Sequence, residues 1–544
     1  MITIDIRSTS LARVRPLVCA VVAAISLASP LRAQGDTAAV MIRDRLAARG
    51  ALSAGGERLY SDSLVRQFYA GVGNRPVWSS PGRTLPVATA LASFIEELLP
   101  TDGLSADLYH ARPIRRLLDL RRPLSLQERA ELDLLLSDAF LTAGHDLVQG
   151  RVPPRAVHPG WATASRTADL PVVLQQSLAR ARVGEALIAL RPATAQYQRL
   201  RQALARYRQI EEQGGWPAIP ARILRPGDTG DEVLVLRERL HAELPLAATT
   251  DSARYDSVLV DAVKRFQHAS GLSGDGTVGP ATRAALNVTV AQRVRQVMAS
   301  LERERWLPAT LGRRYVATYI PEFQLFAVDN GRVELTSRVV AGKEGWHTPI
   351  FSATMRQVVF NPYWNIPPSI LSREVLPRSR RDPGYFAREG IEAVGSGSSV
   401  RYRQVPGARN PLGRVKLLFP NSYNVYLHDT SSPSYFARDE RAFSHGCVRV
   451  EKPMELAAFA LAETPGWSAD SVLSFPRGET EQAVTLAAPI PVYIFYRTAW
   501  VDDTGTVQFR RDLYRLDERL EAALASRDPS RARPAAEKTA EEGS

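Results

Sequence analysis

From about residue 36 to residue 222, apolar positions recur at helical spacing, as in Leu134, Leu135, Ala139 and Leu147, and alanine, leucine and arginine dominate. The pattern predicts a mainly helical domain, punctuated by segments such as 113–123 and Val152-Pro153-Pro154. Between Leu224 and Val288 the stripes are shorter. Val233, Leu236 and Leu240 mark one face of a helix, and Leu259, Ala262, Val263 and Phe266 mark a second. Gly274-Asp275-Gly276 then makes a turn, and Gly279-Pro280 opens a third helical turn, because proline suits a helix start. After Arg305-Trp306-Leu307-Pro308 the period falls to two. Strands are predicted from Tyr315 to Ile320, Phe323 to Val328 and Val333 to Val340, with Asp329-Asn330-Gly331 turning the last pair into a hairpin. Later strands are predicted from Met355 to Phe360, Tyr423 to Leu427, Val448 to Val450 and Val492 to Tyr496, with a helix from Pro453 to Leu461. The fold class is therefore multidomain α+β: a helical region over 36–222, a three-helix module over 224–288 and a mostly β domain over 315–515. Within the last, 371–412 has few regular runs and many glycines, prolines and arginines, which predicts an insertion acting as a lid. The polar segment 524–544 reads as a disordered tail.

Length and charge sharpen this division. A chain of 544 residues suggests three to four units at about 150 residues each. Hydrophobic residues at 45% are too many for a largely disordered chain. Lysine and arginine total 69 against 57 acidic residues, and the net charge of +12 favours anionic partners without choosing among them. Two cysteines exclude a disulfide framework and a four-thiolate zinc site. Arg7, Arg13 and Arg15 precede an apolar run from Leu17 to Ala28, followed by Leu31-Arg32-Ala33. This reads as a signal peptide over 1–33, cleaved near Ala33, and as export. The other reading, an uncleaved anchor, needs about 20 apolar residues and finds fewer. Cleavage removes Cys19 and leaves Cys447 as the one thiol.

The chemistry concentrates in Tyr426-Leu427-His428-Asp429-Thr430 and Phe443-Ser444-His445-Gly446-Cys447-Val448-Arg449-Val450. A thiol attacks a carbonyl as thiolate, so it needs an imidazole or another positive neighbour. His428 ends a predicted strand, and the chain has room to loop out and return with Cys447 beside it. Gly446 lets the backbone turn so that amide N–H groups converge on an oxyanion. Arg449 leaves the same strand face as Cys447, where a guanidinium can hold a carboxylate. Against this stands the plainer reading, in which Cys447 is a small buried hydrophobe, His428 a core residue and Arg449 a solvated charge. A zinc site from His428, His445 and Cys447 has suitable ligand types, but His445-Gly446-Cys447 on one strand is not a zinc spacing. No metal and no cofactor are expected. His110, His145 and His158 have no metal-like spacing and read as structural or surface residues.

His428 followed by Ser444-His445-Gly446-Cys447-Val448-Arg449 resembles the signature of the L,D-transpeptidases, cell-wall enzymes of the YkuD-like β fold. Gly342-Lys343, Thr348-Pro349 and the run Asn361-Pro362-Tyr363-Trp364-Asn365-Ile366-Pro367-Pro368 are similar to blocks of the large members. Gly73-Asn74-Arg75-Pro76-Val77-Trp78 resembles the opening of their helical scaffold domain, and 224–288 resembles a peptidoglycan-binding domain through Arg265-Phe266-Gln267, Asp275-Gly276 and Val278-Gly279. The resemblance implies a two-step acyl transfer. Cys447, activated by His428, attacks the L-centred third residue of a tetrapeptide stem, expels D-alanine and forms a thioester, which a diaminopimelate amine resolves into a 3→3 cross-link. Backbone N–H groups near Gly446 and Cys447 hold the oxyanion, supported by Ser444 and His445. Arg449, with Tyr363 and Trp364 as a wall of the donor groove, binds substrate. The partners implied are peptidoglycan stem peptides, carbapenems as covalent inhibitors and cell-wall synthases, with no nucleic acid. The place is the periplasm, at the cell wall, in wall biogenesis and cell shape. Two alternatives remain at this stage: an L,D-carboxypeptidase with the same residues and water as acceptor, and a non-catalytic wall-binding scaffold.

Overall fold

The computed structural model describes residues 37–525 apart from Pro245, Thr249 and Thr250. The predicted signal peptide lies outside the described residues, as does the tail beyond Ala525. The N-terminal region is helical around α1, Leu126–Gln149. Ser125 starts this helix with a reciprocal cap: its Oγ accepts from the Glu128 N–H, and the Glu128 carboxylate accepts from the Ser125 N–H. Leucines cover nearly every face of α1, because the surrounding helices enclose it. Its buried acids organise loops that have no secondary structure of their own. Asp138 accepts from the N–H groups of Tyr60 and Ser61 and lies 2.8 Å from His110 Nε2. Trp78 is fully buried and donates from Nε1 to Ser137 Oγ at 2.9 Å. His110 is thus a structural residue, and His158 is packed against Trp161 and Trp306.

The helix α2, Ala195–Glu212, leads to the compact module of α3 (Asp231–His241), α4 (Ser257–Ala269) and α5 (Pro280–Leu286). Its core contains the residues of the two apolar stripes: Val233, Leu236, Leu240, Leu259, Ala262, Val263 and Phe266. The buried Gln267 amide fixes the glycine turn by donating to Asp275 and Thr282 and accepting from the Gly276 N–H. Next, α6, Val290–Trp306, runs from this module to the β domain. It carries buried ion pairs, Glu302 with Arg305 and Arg303 with Asp517, both at 2.5 Å. Glu302 also accepts from the Val152 N–H at 2.8 Å, so one carboxylate ties α6 to the end of the N-terminal region.

Nine strands form the main sheet: β1 Arg314–Tyr319, β2 Gln324–Asp329, β3 Arg332–Gly342, β4 Phe351–Phe360, β5 Val415–Leu418, β6 Leu427–His428, β7 Ala442–Ser444, β8 Val448–Val450 and β9 Gln482–Phe495. Their order is β7-β3-β8-β6-β5-β4-β9-β1-β2, and β3 also pairs with β2, so the ring of strands closes. Closure removes the free edges that an open sheet must protect. Val316, Leu325, Val339, Val358, Leu417, Leu427, Val448 and Val492 are buried in one core with α7, Pro453–Leu461. Asn330 and Gly331 both have positive φ, which matches the hairpin predicted there.

Four details differ from the sequence expectation. The segment Tyr423–Leu427 is mostly turn: Asn421 Oδ1 accepts from the Tyr423 and Val425 N–H groups, Asn424 has φ +54°, and only Leu427 and His428 pair. The strand β9 begins ten residues before the predicted Val492, at Gln482; Pro489 and Pro491 disguise it, and the register shifts between Thr485 and Ile490. The insertion between β4 and β5 is ordered rather than irregular. It contains a three-stranded sheet of Ile391–Val394, Arg401–Gln404 and Trp364–Asn365, helical turns from Pro368 to Arg381, and an apolar cluster of Ile366, Val375 and Ile391. Finally, the last helix, Leu516–Ala525, runs into the segment predicted as a tail.

Candidate active site

The short strands β6 and β8 run parallel, with Leu427 opposite Val448 and His428 opposite Arg449. Leu427 and Val448 are fully buried, and each contributes about 1.5–3 kcal/mol of burial to hold that register. The alternate residues Tyr426, His428, Cys447 and Arg449 consequently share the opposite face. On the other side of β6, Lys416 pairs with His428 and extends the row. The site is a line of polar groups on a face whose reverse is core.

Cys447 is partly accessible, and its thiol donates to the Asn424 carbonyl at 3.8 Å. His428 is buried, with Nδ1 2.5 Å from the Asp429 carbonyl oxygen. The near contact expected between sulfur and ring is absent as a hydrogen bond: each has a backbone carbonyl as partner. Burial and then the Arg449 charge push His428 down to about 3, so the ring is neutral at physiological pH. Burial pushes the Cys447 thiol up, opposed by the Tyr426 N–H and hydroxyl and by Arg449. A neutral thiol and a neutral imidazole form no ion pair at rest. The Tyr426 hydroxyl faces the sulfur, and its ring centre lies 5.6 Å from that of His428.

The turn before the thiol is built by Gly446, whose φ of +113° side-chain-bearing residues rarely adopt. Its N–H donates to Ser444 Oγ at 3.2 Å, and Ser444 Oγ donates to the Cys447 carbonyl at 2.5 Å. Of the backbone N–H groups near Gly446 and Cys447 expected at an oxyanion, that of Gly446 is thus engaged in closing the turn. Thr348 braces the same turn by donating to the Gly446 carbonyl at 2.8 Å while accepting from the Gly342 N–H. A Cβ at Gly342 would lie 2.0 Å from the Trp346 carbonyl, so only glycine fits.

The insertion meets the site through His445, whose Nε2 lies 2.7 Å from Glu374 and whose ring packs edge-on to Trp346 at 5.0 Å. Arg373 lies over Trp346. Arg449 has no ion pair among the described residues and lies near the Tyr435 ring, 5.7 Å from its centre. Tyr363 and Trp364 stand at the base of the insertion. Arg403 stacks on Tyr363, whose carbonyl accepts from Lys416, and Trp364 packs on the insertion's apolar cluster. Neither makes a hydrogen bond to Cys447 or His428. The residues that sequence reasoning missed are Tyr426, Lys416, Asn424, Trp346 and Glu374. Alternation with His428 would have found Tyr426; Asn424 acts through its backbone carbonyl, which no side-chain pattern reports, and Lys416, Trp346 and Glu374 sit on other segments. Among the described residues, no three histidines, cysteines or acids group as metal ligands.

Residues 313–472 match the family described as the L,D-transpeptidase catalytic domain, YkuD. Residues 63–204 match a scaffold domain, and 229–286 match the family described as "Putative peptidoglycan binding domain". A protein of Haemophilus influenzae named "Putative L,D-transpeptidase" is 30% identical over 221 residues, 38% of this chain and 45% of that protein, so the match spans under half of the relative. A solved L,D-transpeptidase of Stackebrandtia nassauensis is 14% identical and aligns over 52% of this chain and 97% of its own, with a TM-score of 0.21. Another, residues 123–326 of the Xylanimonas cellulosilytica enzyme, is 20% identical over 51% of this chain and 98% of its own, with a TM-score of 0.17. At such scores the structural likenesses carry no argument. The barrel that holds Cys447 and His428 is an L,D-transpeptidase catalytic domain of the YkuD family, carried in a chain that also has a peptidoglycan-binding domain and a scaffold domain.

Proposed function

We propose that this chain is a peptidoglycan L,D-transpeptidase that forms 3→3 cross-links through a thioester on Cys447. The observation that carries the reading is the parallel β6–β8 register, which sets an accessible thiol, an imidazole and an unpaired guanidinium on one face. On substrate entry Sγ leaves the Asn424 carbonyl and turns towards His428. The sulfur attacks the carbonyl carbon of the L-centre while its proton passes to the ring, and the Cys447 N–H stabilises the oxyanion in place of the engaged Gly446 N–H. The ring then protonates the departing amine, the C–N bond breaks and D-alanine leaves. A side-chain amine of a second stem attacks the thioester carbonyl, gives its proton to His428, and the sulfur departs and regains a proton. Each of the two acyl transfers returns the imidazole to its neutral form.

Arg449, already desolvated and stacked near Tyr435, supplies charge for a stem carboxylate. The insertion caps the donor through Glu374 and His445, with Tyr363 lining its base. The peptidoglycan-binding domain raises the local concentration of stems. The same reading places the protein outside the cytoplasm at the wall, beside cell-wall synthases, and makes Cys447 the target of carbapenems.

Incubation with purified tetrapeptide stems, followed by mass analysis of products, tests the acceptor. Cross-linked dimers lacking one D-alanine support transfer. Tripeptides without dimers would show water as acceptor and make the protein an L,D-carboxypeptidase. Unchanged stems would leave a wall-binding scaffold.

A further inference from the structure

A cavity of about 760 Å³ lies away from Cys447, where the peptidoglycan-binding helices meet α6 and the barrel. Its volume falls within the range of about 300–1,000 Å³ typical of ligand sites. One wall is apolar and includes Leu272 together with Ala284 and Ala285 of α5. The lining also includes Arg293, Arg441 and Arg510, with Arg293 donating to the Ala285 carbonyl.

These three guanidiniums share an unusual situation. Each lies over an aromatic ring: Arg293 over Phe509 at 4.2 Å, Arg441 over Phe323 at 5.3 Å and Arg510 over Trp500 at 4.7 Å. Their hydrogen bonds go to neutral acceptors only, Gln296 and the Ala285 carbonyl for Arg293, the Arg438 and Phe323 carbonyls for Arg441, and the Ala269 and Phe509 carbonyls for Arg510. Arg293 and Arg441 are more than nine-tenths buried, and the Nε of each has no partner. None of the three forms an ion pair among the described residues. The carboxylates around the cavity are engaged elsewhere: Glu440 with Arg511, Asp517 with Arg303, Glu521 with Arg295, Glu518 with Arg515 and Glu322 with Arg497. Asp439 accepts from Ser273, and Asp512 from Tyr496. Burial pushes Arg441 and Arg510 each down to about 10, with Arg441 adding its repulsion at Arg510. Glu243 acts on Arg293, Glu451 and Asp439 on Arg441 and Glu322 on Arg510, all without direct pairing, so an anion entering the cavity gives each guanidinium a direct partner.

We propose that this cavity is a second peptidoglycan site, in which Arg293, Arg441 and Arg510 hold the carboxylates of a stem peptide while its alanine-rich body lies along α5. The assignment rests on the peptidoglycan reading above, and a carboxylate ligand suits it because none of the three guanidiniums has an ion pair among the described residues while two carry an unpartnered Nε. Aromatic stacking keeps each guanidinium plane fixed for a planar carboxylate. Arg441, in the cavity lining, immediately precedes β7, the strand that leads to Cys447.

Calorimetric titration of the full chain with a soluble disaccharide–tripeptide tests the proposal, with carbapenem acylation and thermal melting read in parallel. Binding is expected to weaken at least ten-fold in Arg293→Met and Arg510→Met and when the stem carboxylates are converted to amides. Arg510→Lys, which keeps the charge but not the planar fork, is expected to bind more weakly than the parent and more tightly than Arg510→Met. Ala284→Trp, which adds bulk at an exposed lining position, is expected to lose binding yet melt normally. The proposal is overturned if the parent does not bind, if Ala284→Trp and the methionine variants bind unchanged, if the amidated fragment binds as well as the acid, or if inorganic phosphate binds and the muropeptide does not. Failure of acylation in the parent strikes the catalytic reading instead, whereas normal acylation without muropeptide binding removes this second site alone.

Discussion

A thiol whose pKa is raised by burial and an imidazole held at about 3 set the reactivity of the resting site. Alkylation by iodoacetamide is therefore expected to be slow at pH 7 and to rise about ten-fold per pH unit into the alkaline range, as thiolate appears. A plateau between pH 5 and 7 would reveal a thiolate–imidazolium pair and refute this description. Arg449 lowers both groups, so Arg449→Met should move the alkylation profile further alkaline, the sign opposite to relief of a repelled cation alone. Gly446 has ordinary room for a Cβ, 3.6 Å from the His347 carbonyl, so its role is conformational. Gly446→Ala should cost about 1–3 kcal/mol of stability in denaturant unfolding, through its φ of +113°. Cys447, His428 and Gly446 were legible because chemistry restricts what those residue types do at that spacing. The engaged Gly446 N–H was not, since it depends on which way a serine hydroxyl turns, and spacing carries no such information.

At the scale of elements, β6 and β8 are only two and three residues long, yet they align the site because hydrophobic residues on their reverse face lock the register. Periodicity revealed β8 and the hairpin β2–β3. It overextended β6, where the Asn421 side chain competes for the backbone and Asn424 takes a positive φ, and it missed β5, whose Val415-Lys416-Leu417-Leu418 is too short to show a period. The insertion was legible as an interruption and not as a structure, because its small cluster is assembled from residues as far apart as Ile366 and Ile391. Its hold on the site runs through the half-exposed Glu374–His445 pair, which is worth about 1 kcal/mol or less. Glu374→Ala should thus raise the donor KM by a factor of up to about five and speed hydrogen exchange across Leu371–Val375, with the melting temperature unchanged. An unchanged exchange rate in that segment would show that other contacts hold the insertion down.

In the whole molecule, α6 joins the three regions through buried charges that no single-domain pattern displays. Glu302 balances Arg305 and caps the Val152 N–H, so Glu302→Ala should cost about 3–5 kcal/mol in equilibrium unfolding. A loss under 1 kcal/mol would mean that Arg305 finds enough compensation in the Asp102 carbonyl. Domain order was legible from changes of period along the chain, whereas the junctions were not, because Glu302 and Val152, or Arg303 and Asp517, lie far apart in sequence. The account as a whole depends on covalent capture at one sulfur. Protein mixed with a tetrapeptide stem, quenched in acid and mapped by mass spectrometry, should carry a tripeptide acyl group on Cys447, with D-alanine released in equal amount and neither seen in Cys447→Ala. An acyl group that persists in Cys447→Ala, or D-alanine released without any adduct at Cys447 even under rapid quench, would contradict it.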